Sequence, residues 1–266
     1  MTFAIALAGA MGCAAGPRSS TPNSTPTPTQ ATTNPTTRTH EDTSMTQTSM
    51  TKATMIPMTS VAQKDAGLRT FLKAGRDLVA KNEPDTPYWY ALEREGGNGQ
   101  FAIFDLFPHQ AGRDAHFNGD VASALAQRAP ELVDGGWDDG VVANVQHYQT
   151  IAQKLPDQPV AVTKATAISL QAAPGKADAL AEFLTKGCAM VIDQEPLTPY
   201  WLALRSEHDD HRFAIVDFFP NQEGRQAHFE GQVAAALKAN AHDLVVGGWE
   251  AGVIDNVVHF DVVAAK

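Results

Sequence analysis

His116 and His228 are the side chains in this sequence best suited to proton transfer, because an imidazole with an ordinary pKa near 6.5 exchanges a proton around neutral pH. Each lies one helical turn beyond an arginine, Arg113 or Arg225, so both groups of a pair can point toward the same end of a sheet. Such a histidine is either a base for a bound acidic group or a helix residue hydrogen-bonded to backbone or to a nearby acid. Asp105 and Asp217 sit inside the apolar runs IFDLF and IVDFF, where an unpaired carboxylate is costly. Arg113 and Arg225 are their expected partners, in a salt bridge that is structural or that orients histidine or substrate. Tyr88, Trp89, Tyr200 and Trp201 could stack on an aromatic ligand, although large rings more often fill a core. The nine histidines are scattered without HxxxH or CxxC spacing, and the pair His208/His211 falls in one polar hairpin, so no metal site is expected.

The elements that must position these groups occur twice. Tyr88-Trp89 aligns with Tyr200-Trp201, and Gly135-Gly136-Trp137 with Gly247-Gly248-Trp249, so residue n of one copy matches residue n + 112 of the other without a gap. EPxTPYW begins at Glu83 and at Glu195, FAIxDxFPxQxGRxAHFxG at Phe101 and at Phe213, and about half of the aligned positions are identical. A period this long fits whole domains, here 51–154 and 163–266, joined by a proline-bearing linker at 155–162.

Within a copy, 53–61 has strand composition, and Lys64 to Lys81 places Leu68, Phe71, Leu72, Leu78 and Val79 on one helical face. Tyr88 to Glu95 and Gln100 to Phe107 flank Gly96-Gly97-Asn98-Gly99 and read as a hairpin. Gln110 to Leu132 is helical with a break near Gly119, and Val141 to Ile151 reads as a last strand. The order β-α-β-β-α-β is the ferredoxin-like arrangement, an α+β class. The strands carry bulky groups on both faces, so two tandem modules are expected to pack sheet to sheet about a pseudo-two-fold axis as a pseudo-dimeric α/β barrel. His147 and His259, alternating with Val145 and Val257, are expected at solvent or at the seam between the copies.

A net charge of -10 and a pI near 5.3, with no basic cluster, argue against a nucleic-acid partner. Residues 1–13, MTFAIALAGAMGC, are too short to span a bilayer and read as the end of an export signal. Small residues before Cys13 resemble the bacterial lipobox, which implies lipidation of Cys13 and a membrane-anchored, exported lipoprotein facing the periplasm or cell exterior. The alternative is an apolar N-terminus without lipid. Residues 14–50, rich in Ser, Thr, Pro and Asn, bury too little to repay their ordering entropy and read as a disordered tether. With Cys13 acylated, Cys188 has no disulfide partner in the chain.

TPYWxAL, FAIFDLFPHQAGRDAHFNG and VASALAQRAPEL resemble the antibiotic biosynthesis monooxygenase family of dimeric α/β barrels, over both copies. The resemblance implies a cofactor-independent monooxygenase oxidising a small quinol-like or phenolic compound with molecular oxygen, needing neither metal nor flavin. His116 and His228 would then be bases and Asn144 and Asn256, in the last strands, would hydrogen-bond a phenolic oxygen. Where haem-degrading relatives carry an axial histidine, this sequence has Ala126 and Lys238, which disfavours haem. The rival expectation is a membrane-tethered binding module that holds an apolar aromatic molecule without turnover. A third is that only one copy keeps a working site, since the copies differ at 96–100 and at Tyr90/Leu202.

Overall fold

The computed structural model describes residues 49–266; Cys13, the 1–13 segment and nearly all of the expected tether lie outside them. The first copy comprises β1 (Lys52–Thr59), α1 (Asp65–Asn82), β2 (Tyr88–Arg94), β3 (Gln100–Phe107), α2 (Gln110–Phe117), α3 (Asp120–Leu132) and β4 (Gln146–Lys154). The second repeats it as β5 (Lys164–Gln171), α4 (Ala177–Gln194), β6 (Tyr200–Ser206), β7 (Arg212–Phe219), α5 (Gln222–Phe229), α6 (Gln232–Leu244), a short α7 (Gly248–Gly252) and β8 (Val257–Ala265). The expected helix 110–132 is split at Gly119, which serves as the extended N-cap of α3.

The eight strands form one closed antiparallel barrel in the order β1-β3-β2-β8-β5-β7-β6-β4. Closure uses the last strand of each copy as a bridge. β4 pairs with β1 of its own copy (Lys52↔Gln149) and with β6 of the other (Tyr148↔Ser206), while β8 joins β5 to β2. Closure gives every described strand a paired neighbour on both sides. Inside, Tyr90 stacks on Phe218 with centroids 4.0 Å apart, and Leu92, Phe104 and Leu202 are fully buried. Outside, Leu68, Leu72 and Val79 of α1 and Leu125 of α3 cover Trp89 and Ile103. Each such side chain contributes about 1.5–3 kcal/mol by burial.

Met50 and both ends of the 155–162 linker are more ordered than their composition predicts. Met50 is buried in the barrel core and donates its backbone N–H to Gln153 Oε1 at 3.2 Å, so residue 50, expected to belong to the tether, is part of the fold. Leu155 and Val162 pack against the same core, and Tyr200 Oη accepts from the Val160 amide at 3.0 Å.

The copies are clasped by matched charges. Glu207 accepts from Arg113 (2.6 Å) and Lys52 (2.7 Å), and Glu95 binds Arg225 (2.8 Å) and Lys164 (2.8 Å). The final lysines are exchanged too: Lys266 Nζ donates to Glu83 O at 2.6 Å at the end of α1, and Lys154 Nζ to Glu195 O at 2.7 Å at the end of α4. A cation there satisfies carbonyls that a helix leaves unpaired. Burial raises the carboxyls of Glu95 and Glu207, but the arginine and lysine donors outweigh it and hold both below the ordinary value. A depressed carboxyl contributes stability above its unfolded pKa and loses it as pH falls through the folded one. Replacing both, as Glu95→Gln/Glu207→Gln, is expected to cost about 2–4 kcal/mol at pH 7, because Arg113 and Arg225 stay buried. In urea unfolding the gap from wild type should narrow near pH 3. A gap equal at both pH values would contradict the assignment.

Candidate active site

His116 is held between two carboxylates. Its Nδ1 meets Glu83 Oε2 at 2.5 Å and its Nε2 lies 3.5 Å from Asp105 Oδ2; the second copy repeats this with Glu195 (2.5 Å) and Asp217 (3.3 Å) around His228. α2 supplies the imidazole, β3 the aspartate, and the residue following α1 the glutamate. Burial drives Asp105 up to about 7, against the pull of the His116 charge and with the push of Glu83. Burial disfavours the imidazolium of His116, but the Asp105 charge and the Glu83 bond outweigh it and raise its pKa. For His228 the same contest, against burial and with Asp217 and Glu195, ends at about 9. With both ring nitrogens facing carboxylates, neither histidine has a nitrogen turned to a ligand. This geometry is the acid-bonded arrangement that the sequence left open.

The expected pairing of Asp105 with Arg113, and of Asp217 with Arg225, is corrected by these contacts. Arg113 and Arg225 reach out of their own copies to Glu207 and Glu95, and the histidine one turn later takes the aspartate. Neither oxygen of Asp105 or Asp217 has a hydrogen-bond donor, so the histidine charge is their counter-ion. Glu83 and Glu195 are the residues that sequence reasoning missed. Their signal was present in the duplicated EPxTPYW motif, in which an acid persists beside an otherwise apolar and aromatic stretch.

His116 forms part of the wall of a cavity of about 410 Å³ between the barrel and α3. Trp89, Ile103, Leu125 and Trp137 make it apolar, and His147 and His208 line it as well. His147 shares a hydrogen bond through Nδ1 with the buried Thr54 Oγ1 (3.3 Å), which leaves Nε2 without a protein partner among the described residues. Burial and the charge of Arg113 push His147 below its ordinary pKa, so it is neutral at pH 7. Its ring edge meets Phe117 at 5.5 Å, and His208 of the second copy stands 6.1 Å away.

The matching space in the second copy is only about 30 Å³. Its walls match residue for residue except at a few positions. Ile254 replaces Val142, and Lys238, where the first copy has Ala126, sits 5.8 Å over the ring of Trp249 and holds it. The place of His208 is taken by Gly96. The copies are thus alike in fold and unlike in cavity.

The aromatic pairs separate. Trp89 and Trp201 face the helices, whereas Tyr88 and Tyr200 meet edge to face at 6.1 Å in the barrel interior. Asn144 and Asn256 lie in single 3-10 turns ahead of β4 and β8, not in strands. Each donates Nδ2 to two carbonyls of the preceding turn, Asp139 and Gly140 or Ala251 and Gly252. That turn pivots on Gly135 and Gly136 at positive φ and on Gly140, where a Cβ would come within 2.2 Å of Asp134 O, so the asparagine clamps a backbone bend. His259 shares a bond with Thr166 Oγ1 at 3.1 Å, as His147 does with Thr54. Asp209, Asp210 and His211, all exposed in the β6–β7 hairpin, are the one group among the described residues whose ligand atoms approach within 4.8 Å. No described helix is long and apolar enough to cross a membrane.

Among solved structures, the chain is similar to a provisionally assigned monooxygenase from Fusobacterium nucleatum, with a TM-score of 0.70 and 10% identity over 82% of this chain and 94% of that one. A second protein of that description, from Lactobacillus acidophilus, gives 0.64 and 10% over 81% and 96%. The likeness is one of fold, an α+β barrel of eight antiparallel strands shared with both. An anthrone oxidase-like protein also shares this barrel, with a TM-score of 0.53 and 11% identity over 82% of this chain and 93% of that one. No family model and no curated protein matches the sequence.

Proposed function

We propose that the first copy is the working half of a cofactor-independent oxygenase, which takes a small quinol-like or phenolic molecule into the cavity between Trp89 and Trp137. The observation that carries this reading is the neutral His147 on an apolar cavity of about 410 Å³, its Nε2 unpartnered among the described residues. An imidazole in that state can take the proton of a bound phenol, and an apolar site that excludes water leaves the resulting anion more easily oxidised by molecular oxygen. The neighbours described as monooxygenases and as anthrone oxidase-like support an oxygenase, and an apolar wall with one unpartnered imidazole nitrogen supports a quinol-like or phenolic substrate.

The second reading is a binding module without turnover. It is favoured by the pairing of both His116 nitrogens with carboxylates, which makes that residue a charge clamp and not a base.

Oxygen uptake against a panel of quinols and anthrones separates the two. Wild type should exceed the uncatalysed rate, and His147→Ala should lower kcat/KM at least tenfold, about 1.4 kcal/mol of barrier, while its counterpart His259→Ala leaves it within twofold. Absence of uptake, with ligand-dependent quenching of tryptophan fluorescence retained, would replace the oxygenase by the binding module.

A further inference from the structure

The hydrogen-bonded wall of the barrel is incomplete at one end. β1 pairs with β4 only from Lys52 to Met55, and β5 with β8 only from Lys164 to Ile168, because the chain reaches each last strand through a 3-10 turn. Four antiparallel steps separate β1 from β5 around the barrel, so the two run the same way and both gaps open at the same end.

A cavity lies behind each gap. One of about 420 Å³ runs past Pro57 and Thr59, and one of about 540 Å³ past Leu170 and Gln171. They meet at Gln146, Tyr148 and Ser169 as two arms of one chamber, and the second arm also borders the cavity between sheet and helices at Val145, His147 and His208. The opposite end of the barrel is plugged by Tyr88, Tyr90, Tyr200 and Phe218.

Room for the chamber comes from the second copy. Where the first copy has Met55, Phe104 and Gln146, the second has Ala167, Val216 and Val258, and these three smaller residues line the first arm together with Ala214 and Phe260. Natural interiors are packed to near crystal density, so a space of this size, apolar along Ala167, Ala214, Val216 and Val258 and polar toward Asp134, Asp139 and Asn144, is a site and not slack. At its mouth stands the exposed Arg94, which donates Nη1 to Gln100 Oε1 and has no ion-pair partner among the described residues. Deeper in, Tyr148 Oη donates to Gln146 Oε1 at 2.8 Å.

We infer that the first arm of this barrel-end chamber, which shares no lining residue with the cavity between sheet and helices, is a second ligand site that takes a flat apolar molecule carrying one anionic end. The rings would lie against Ala167, Ala214, Val216 and Val258, and the anion would meet Arg94. The inference is independent of whether the other cavity performs oxidation.

The probe is 1-anilinonaphthalene-8-sulfonate, titrated by fluorescence into the full chain. Saturable binding is expected, weakened at least tenfold by Ala167→Met/Val216→Phe. The methionine restores the residue found at position 55, and the phenylalanine the one found at 104. Arg94→Gln should weaken the sulfonate at least threefold while leaving the uncharged N-phenyl-1-naphthylamine within twofold. Should the double variant fail to fold by circular dichroism, the exposed Arg94 alone decides. No saturable binding, affinity unchanged in every folded variant, or binding abolished instead by Ala122→Phe in the other cavity would overturn the inference.

Discussion

Raising the pH from 6 to 10 is expected to remove about 3 kcal/mol of folding free energy through His228 alone. In the unfolded chain this imidazole titrates near its ordinary value, whereas in the fold Asp217 at 3.3 Å and Glu195 at 2.5 Å overcome burial and hold its proton to about pH 9. A pKa raised by folding gives stability that is complete below the unfolded value and is lost as pH rises through the folded one. The window is therefore about 6.5 to 9, and His116, raised by Asp105 and Glu83 against its burial, adds in the same direction. Asp105, raised by burial to about 7, loses its contribution earlier, between its ordinary value and neutrality. Glu95 and Glu207 act oppositely and weaken the fold only in acid. Urea unfolding at pH 6, 8 and 10 should show falling stability in wild type and a shallower fall in His228→Gln. A flat wild-type profile, or an unchanged slope in the variant, would refute the charge clamp.

Filling the first cavity should have a larger effect on function than any single polar change. Ala122 lines it, half-buried on α3, and Ala122→Phe would place a ring in the space between Trp89 and Trp137. Turnover or ligand affinity should fall at least a hundredfold, with stability little changed because the ring enters empty space. The same change in the second copy, Ala234→Phe, meets a space of only about 30 Å³. It should leave function intact and cost about 1–3 kcal/mol of stability through overpacking. The two variants, measured by kcat/KM and thermal melting, thus exchange effects. Equal functional loss from both would mean that both copies work.

Much of the fold was legible because its signals are local or repeated. Gly96 to Gly99 marked the β2–β3 hairpin, the spacing of Leu68, Leu72 and Val79 marked α1, and the strands' two apolar faces required a closed interior. What escaped is non-local. Arg113 is 94 positions from Glu207 and in the other copy, so the nearer Asp105 looked like its partner. Asn144 was placed in a strand because Val141 to Ile151 alternates, but Gly140 and the asparagine clamp bend the chain and delay β4 to Gln146. The inequality of the two cavities accompanies changes as small as Val142 to Ile254 and Ala126 to Lys238, which read as neutral until their contacts with the cavity wall and Trp249 are known. His147, read from its alternation as a solvent or seam residue, does stand at the seam, 6.1 Å from His208 of the second copy, but its place on the wall of the first cavity was not legible.

The central claim is that one chain carries one phenol-sized site between sheet and helices, in its first copy. The most direct test is calorimetric titration of the full chain with whichever quinol or anthrone of the panel it takes up, excluding oxygen so that binding alone is read. One molecule bound per chain, lost in Ala122→Phe and retained in Ala234→Phe, is the result expected. Two equivalent molecules per chain, or binding that survives Ala122→Phe, would contradict it.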